Sequence, residues 1–152
     1  MTGTARVDYW AIENEIAEIV RANTDVVFVT VEEEMVFGAE STPWVGVYLD
    51  RREVPQRQSL SAGTRTRMQL TFSLWVWCFS LELQEAIKQR DFHIGSLELV
   101  LMANRTINEM VDTSWLSGGR MPSARVRADA GASGGFISGG EILLVADVTA
   151  SI

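Results

Sequence analysis

The sequence predicts an α+β fold: a mostly antiparallel sheet of about five strands, packed against an N-terminal helix and a second, central helix. Three observations predict it. The stretch "TRTRMQLTFSLWVWC" (64–78) alternates with period two, the signature of a long half-buried strand. Two other segments, 7–23 and 83–106, carry apolar residues at helical spacing. Successive strand-like segments are joined by short connections, which favours antiparallel pairing. The 152 residues, 47% hydrophobic and 22% charged, suit one domain, 1–152, with a real core.

The elements follow in order. "VDYWAIENEIAEIVRAN" reads as the first helix, with Tyr9, Ile12, Ile16 and Ile19 at i, i+3, i+7 and i+10. Asp8 is its expected N-cap and Asn23 its stop, with Glu13, Glu15 and Glu18 on the solvated side. "DVVFVTVEEEMVF" reads as a strand that begins apolar and turns acidic. "TPWVGVYLDRREV" reads as a second, with Val45, Val47 and Leu49 on one face. A polar segment closed by Gly63 gives an expected flexible loop near 51–63.

The long strand comes next. Met68, Leu70, Phe72, Leu74, Val76 and Cys78 share one face. The other face begins basic with Arg65 and Arg67, turns neutral, and ends on Trp75, Trp77 and Phe79. That aromatic end requires a cover, either a helix of the same chain or a neighbouring subunit. In the helix that follows, Ile94, Leu97 and Leu101 form the apolar face with Val100 beside them, and Gly95 is expected to mark close packing on the sheet. "TINEMVDTSWL" reads as a turn leading into a strand near Trp115. From 117 to 140 the chain is rich in Gly and Ser, an expected flexible hairpin, before a last strand in "EILLVADVTASI".

Composition excludes several functions. A net charge of -7 argues against a free-standing nucleic-acid binder. No apolar run reaches the ~18 residues of a membrane helix, and "MTGTARVDYW" has no apolar core of a signal peptide. Cys78 is the only cysteine, so no disulfide forms within the chain. One Cys and one His, His93, do not make a zinc site, and "GASGGFISGG" runs into a strand instead of a helix, unlike a phosphate loop. No metal, cofactor or catalytic residue is therefore expected.

What remains is charge. Arg51, Arg52, Arg57, Arg65 and Arg67 form one basic cluster and Arg120, Arg125 and Arg127 another. In an acidic protein these suit carboxylates on a neighbouring copy, or are scattered surface charge. Glu32, Glu33 and Glu34 suit a hard cation, or form a solvated strand edge.

One segment carries a family resemblance. "RDFHIGSLELVLMANRTINEMVDTSWLSGG" (90–119), with Arg90-Asp91 ahead of Gly95 and Glu98, then Leu101-Met102, Arg105-Thr106 and Gly118-Gly119, resembles the tail-terminator (tail-completion) proteins of long-tailed phages. The order of elements fits that family along nearly the whole chain. The resemblance implies a compact α+β subunit, without enzymatic activity or cofactor, located in the tail or neck of a virion. It implies a homohexameric ring that caps the last ring of tail-tube protein, stops its polymerisation and meets the head connector, with DNA passing through the lumen. The arginines above, with Trp75 and Trp77, are then the expected subunit or partner interface, and Glu32–Glu34 the lumen-facing acids. The alternatives are a head-closure or other neck subunit, a small metal-dependent enzyme using Glu32 or Asp147, and a ligand-binding module walled by Trp75 and Trp77.

Overall fold

The structure, a computed structural model, describes residues 7–34, 42–54, 65–126 and 134–151. Among these the order is α1 (Tyr9–Asn23), β1 (Phe28–Val31), β2 (Trp44–Glu53), β3 (Arg65–Ser80), α2 (Leu83–Ala103), β4 (Thr113–Leu116), β5 (Ser123–Val126) and β6 (Gly135–Ser151). The fold is α+β, as expected. The sheet has six strands where about five were expected, in the order β1-β2-β3-β6-β4, with β5 also paired to β6.

β3 and β6 form the centre, antiparallel from Arg65↔Ser151 to Ser80↔Phe136. Each is also paired along its other edge over part of its length, β3 with β2 from Gln69 to Trp77 and β6 with β4 and β5. β2 lies antiparallel to β3, and β1 lies parallel to β2, so the sheet is mixed. The parallel pair arises because β1 and β2 are joined by 32–43, a connection long enough to carry the chain back to the start of the next strand.

The alternation of β3 holds. Leu70, Phe72, Leu74, Val76 and Cys78 are fully buried, and Met68 nearly so. They meet Val45 and Val47 of β2 and Ile142, Leu144, Ala146 and Val148 of β6 in one core. Both helices lie on this face. α1 contributes Ile12, Ile16, Ile19 and Val20, and α2 contributes Ile94, Leu97 and Leu101, with Val100 packed beside them. The chain is thus two layers, helices on one side and sheet on the other.

Both ranges expected as loops contain strand. Arg51–Glu53 end β2, whereas 55–63 lie outside the described residues. Ser123–Val126 are β5, and Gly135 onward is β6. Between β4 and β5 the chain stays on β6: Ser117 N donates to Leu143 O, Leu143 N to Gly118 O, Glu141 N to Arg120 O, and Gly139 N to Pro122 O. The Gly content that suggested a loop serves this pairing. Gly118 and Gly119 have φ of 79° and 152°, and a Cβ on Gly119 would stand 1.8 Å from the Glu141 carbonyl oxygen.

Two other expectations fail locally. Glu13 does not lie on the solvated side of α1; it is only 4% exposed. It sits one residue after Ile12 and three before Ile16, at the margin of the apolar stripe. Gly95 does not mark close packing: it is exposed, and an added Cβ would meet no atom within 4 Å.

The exit from α2 is a left-handed turn, with φ of 49°, 50° and 64° at Ile107, Asn108 and Glu109. This conformation is costly for a β-branched residue. Burial of Ile107, 1% exposed, offsets it by pinning the turn into the core.

Candidate functional site

The two-layer arrangement leaves one sheet face without a helix over it among the described residues. Register defines this outer face. Trp44, Trp77 and Gly139 form one row across it, Gly46, Trp75 and Glu141 the next, then Tyr48, Ser73 and Leu143. Trp75 and Trp77 stack with centroids 5.1 Å apart and planes 11° apart. Successive same-face tryptophans on a strand are near enough for this contact. Trp77 lies across Gly139, where a Cβ would stand 2.4 Å from its ring. Part of the aromatic cover foreseen from the sequence is therefore the chain itself, through glycines opposite the rings and Arg120 above Trp75.

Beside the tryptophans is a hollow of about 390 Å³, lined by Tyr48, Ser73, Trp75, Trp77, Arg120 and Glu141 among others. Its floor is charged. Glu141 accepts from Ser73 Oγ at 2.7 Å and from Arg120 Nε at 3.2 Å. Burial alone raises the Glu141 pKa, but the Ser73 and Arg120 hydrogen bonds and the Arg120 charge outweigh it, so the carboxyl is held below its usual value. The Arg120 guanidinium stands 5.2 Å from the centre of the Trp75 ring. It is 76% exposed above an acid that is 7% exposed. Arg67 repeats the pattern, bonding Asp147 at 2.7 Å. An approaching molecule meets arginine first and carboxylate beneath.

The basic cluster of β2 and β3 is divided by the sheet. A bulge between Leu49 and Arg51 shifts the alternation. Arg51 joins the outer face, 3.6 Å from Glu53, while Arg52 turns to the helix side, its guanidinium 5.8 Å from the Tyr9 ring centre. Arg65 begins β3 opposite Ser151. Arg125 lies over Phe136 at 5.3 Å. Arg57 and Arg127 lie outside the described residues. The structure thus gathers Arg51, Arg67, Trp75, Trp77 and Arg120 on one face, and separates Arg52 from them.

Glu32, Glu33 and Glu34 follow β1 and are exposed. Glu32 and Glu33 are tied to β2. Glu32, at φ 54°, accepts from Leu49 N at 2.7 Å, and the Glu33 carbonyl accepts from Tyr48 Oη at 2.5 Å. Burial, then the hydrogen bond and the charge of Glu32, push Glu13 up to about 8. Burial and the charges of Glu32 and Glu33 likewise raise the Tyr48 pKa. Among the described residues no group of three or more His, Cys, Asp or Glu is placed to hold a metal ion.

Cys78 is fully buried, and burial pushes its thiol up to about 11 against the opposing charge of Arg90, which makes it a poor nucleophile. His93 shares a hollow with Asp25 and Ser96. Burial lowers the His93 pKa and the Asp25 charge opposes that. No hydrogen bond links His93 to Asp25 or Ser96, so the base-to-nucleophile contact of a triad is not made in this arrangement.

A second exposed surface went unread in the sequence. Phe92 and Leu99 are each 67% exposed and Met102 is 48% exposed. With Gly95 they recur at i, i+3, i+7 and i+10, on the side of α2 opposite Ile94, Leu97 and Leu101. The signal was available: α2 is apolar on both sides, whereas a helix with one buried face needs one stripe.

The residues that carry the family resemblance have structural work here. Arg90, 8% exposed, bonds Asp91 at 3.0 Å and the Met121 carbonyl at 3.4 Å, joining α2 to the segment that runs along β6. Gly118 and Gly119 shape that segment. No family model matches the chain, and no curated protein does. Among solved structures, the chain is similar to one from the "Virion of native gene transfer agent (GTA) particle", with 11% identity over 90% of this chain and 93% of that one and a TM-score of 0.43.

Proposed function

We propose that the chain is a structural virion protein of the phage-tail kind, a tail terminator whose ring caps the last ring of tail-tube protein and joins it to the head connector. The observation that supports this reading is the presence of two chemically different surfaces, one half-buried and one exposed, on opposite sides of the two layers. One is the Trp75/Trp77/Arg120 sheet face and the other the Phe92/Leu99/Met102 helix stripe. A closed ring needs two different patches per subunit, because one heterologous contact repeats around the axis. The resemblance of 90–119 to tail terminators supplies the particular role. The reading is non-enzymatic, with no cofactor. Glu32–Glu34 face the lumen, where negative charge limits sticking of passing DNA.

The test is electron microscopy and solution mass of the purified protein, alone and with tail tubes. Open-centred six-fold rings, and tubes that stop growing when the protein is added, are the expected result. A monomer that ignores tubes rejects the proposal. Preferential binding to DNA-filled heads over tubes assigns the chain to head closure instead.

A further inference from the structure

We infer that the carboxyls of Glu13 and Glu32 form a proton-operated clasp between α1 and the end of β1: it is closed while the two share a proton, and it opens when the proton leaves, freeing the side chain of Glu32 from β2. The clasp belongs to the single chain and does not depend on the ring reading above.

The burial of Glu13 argues for it first. Glu13 is 4% exposed, and its Oε2 is sealed from solvent with no hydrogen-bond partner. A buried carboxylate is costly unless a cation or several donors surround it. Among the described residues no lysine, arginine or histidine pairs with Glu13 or Glu32. The polar group that Glu13 does meet is another carboxyl, that of Glu32, within hydrogen-bonding reach. Two carboxylates offer acceptors and no donor, so two carboxyls bond only when one of them carries a proton. Loss of that proton turns the contact into repulsion.

The anchoring of Glu32 decides which partner leaves. Its backbone N–H donates to the Val47 carbonyl at 2.9 Å, and its Oε1 accepts from Leu49 N at 2.7 Å. One residue on, the Glu33 carbonyl accepts from Tyr48 Oη at 2.5 Å. The closed clasp therefore runs from α1, through Glu32, to β2. Glu13 stands on a packed helix, between the buried Ile12 and Ile16. Glu32 is exposed and lies just past Val31, the last residue of β1. Its φ of 54° is a conformation that a non-glycine residue holds only at a cost. When both carboxyls are ionised, Glu32 is the one that can turn to water, and the Leu49 N–H loses its acceptor.

The surroundings set the pH at which this happens. Burial comes first, and the hydrogen bond and charge of Glu32 follow, in pushing Glu13 up to about 8. Glu33 adds negative charge beside Glu32. From β2, Tyr48 faces both, and its raised pKa keeps it neutral in this range. Arg52 of β2 does not reach the pair: its Nη1 donates to Tyr9 Oη at 3.4 Å, one turn before Glu13 on α1. Elsewhere on α1, Asp8 accepts from Ala11 N, and Glu15 accepts from Asn108 in the turn after α2. No bonded cation offsets a second charge. The clasp is closed below about 8 and open above it.

Nuclear magnetic resonance of the full chain tests this. The side-chain carboxyl carbon of Glu13 and the amide of Leu49 are followed from about pH 4 to about pH 10, the span between ordinary glutamate and tyrosine titrations. The wild-type chain is compared with Glu13→Gln and Glu32→Gln, and thermal melts check folding. In the wild type, Glu13 is expected to titrate near 8, with the Leu49 amide shifting at the same midpoint. In Glu13→Gln the Leu49 shift is expected to vanish, because nothing at that position ionises. Glu32→Gln changes an exposed residue and keeps the fold. Its new amide can donate to an ionised Glu13, so Glu13 is expected to titrate at lower pH and the Leu49 amide to stay still.

Titration of Glu13 in the ordinary carboxylate range overturns the clasp. Titration near 8 with an unmoved Leu49 amide overturns it too, since that describes a buried acid with no moving part. A Leu49 shift that persists in Glu13→Gln belongs to another group, and loss of all spectral dispersion across the window is global unfolding. Either result overturns the inference.

Discussion

The two helices teach different lessons. α1 reads as a helix with a single buried face. Its stripe of Ile12, Ile16, Ile19 and Val20 is buried, and Asp8 caps it by accepting from Ala11 N at 3.0 Å. α2 buries Ile94, Leu97 and Leu101 in the same core, yet carries a second apolar stripe in solvent and has no side-chain cap at Glu82. α1 is specified for a monomer's core. α2 buries one apolar stripe and leaves the other, Phe92, Leu99 and Met102, in solvent.

Mutations sharpen that comparison, beginning with the core. Ile16→Ala in α1 and Leu97→Ala in α2 should each cost about 2–5 kcal/mol, since both side chains are fully buried. Denaturant unfolding measures this, and equal losses would show that the helices anchor one core equally.

Glu13 is the buried exception on α1. Its pKa is about 8 in the folded chain against 4.5 ordinarily. Between those values the folded state holds a proton that the unfolded state has released, so stability falls as pH rises from about 4.5 to about 8 and levels beyond. Glu13→Gln keeps the side-chain volume and removes that slope. Its advantage over the parent should grow across this window, by an amount on the order of a few kcal/mol. Parallel pH–stability curves for the two proteins would contradict the assignment.

The caps differ next. Asp8→Ala should cost about 1 kcal/mol through loss of the Ala11 N–H partner. Glu82→Ala, which removes no capping bond, should change stability by less than about 0.5 kcal/mol. Gly95→Ala should stabilise the isolated subunit by up to about 1 kcal/mol, because the helix interior favours alanine and the space is open. The smallest change in folding belongs to Leu99→Ala, within about 0.5 kcal/mol for an exposed side chain. A loss comparable to that of Leu97→Ala would mean that α2 has one buried surface after all.

Much of the fold was legible because burial repeats with the period of the element. The inward residues of β3 are buried at every second position, although Thr71 and Ser73 between them are buried too, and the α2 core stripe at 94, 97 and 101 was visible from spacing alone. Asp8 was legible because capping is local. The candidate site was legible only in part. Trp75, Trp77, Arg67 and Arg120 emerged from pattern and charge, but their common face depends on strand register. Arg51 and Arg52 appeared as one cluster because charge is read along the chain, and the bulge that divides them is a property of pairing with β3. Glu13 looked solvated because a helical wheel does not show what stands opposite its margin.

The sequence by itself determined the α+β class, the length and inward face of β3 and the capped first helix; the strand expected to turn acidic ends at Val31, before Glu32–Glu34. These rest on interactions within a few residues, or on a periodicity that any burial enforces. The tertiary structure alone decided that β1 runs parallel to β2, that the Gly-rich 117–122 segment follows β6, and that Arg120 stands over Trp75 with Glu141 beneath. Those features join residues far apart in sequence, and their energies depend on register, which no local window encodes.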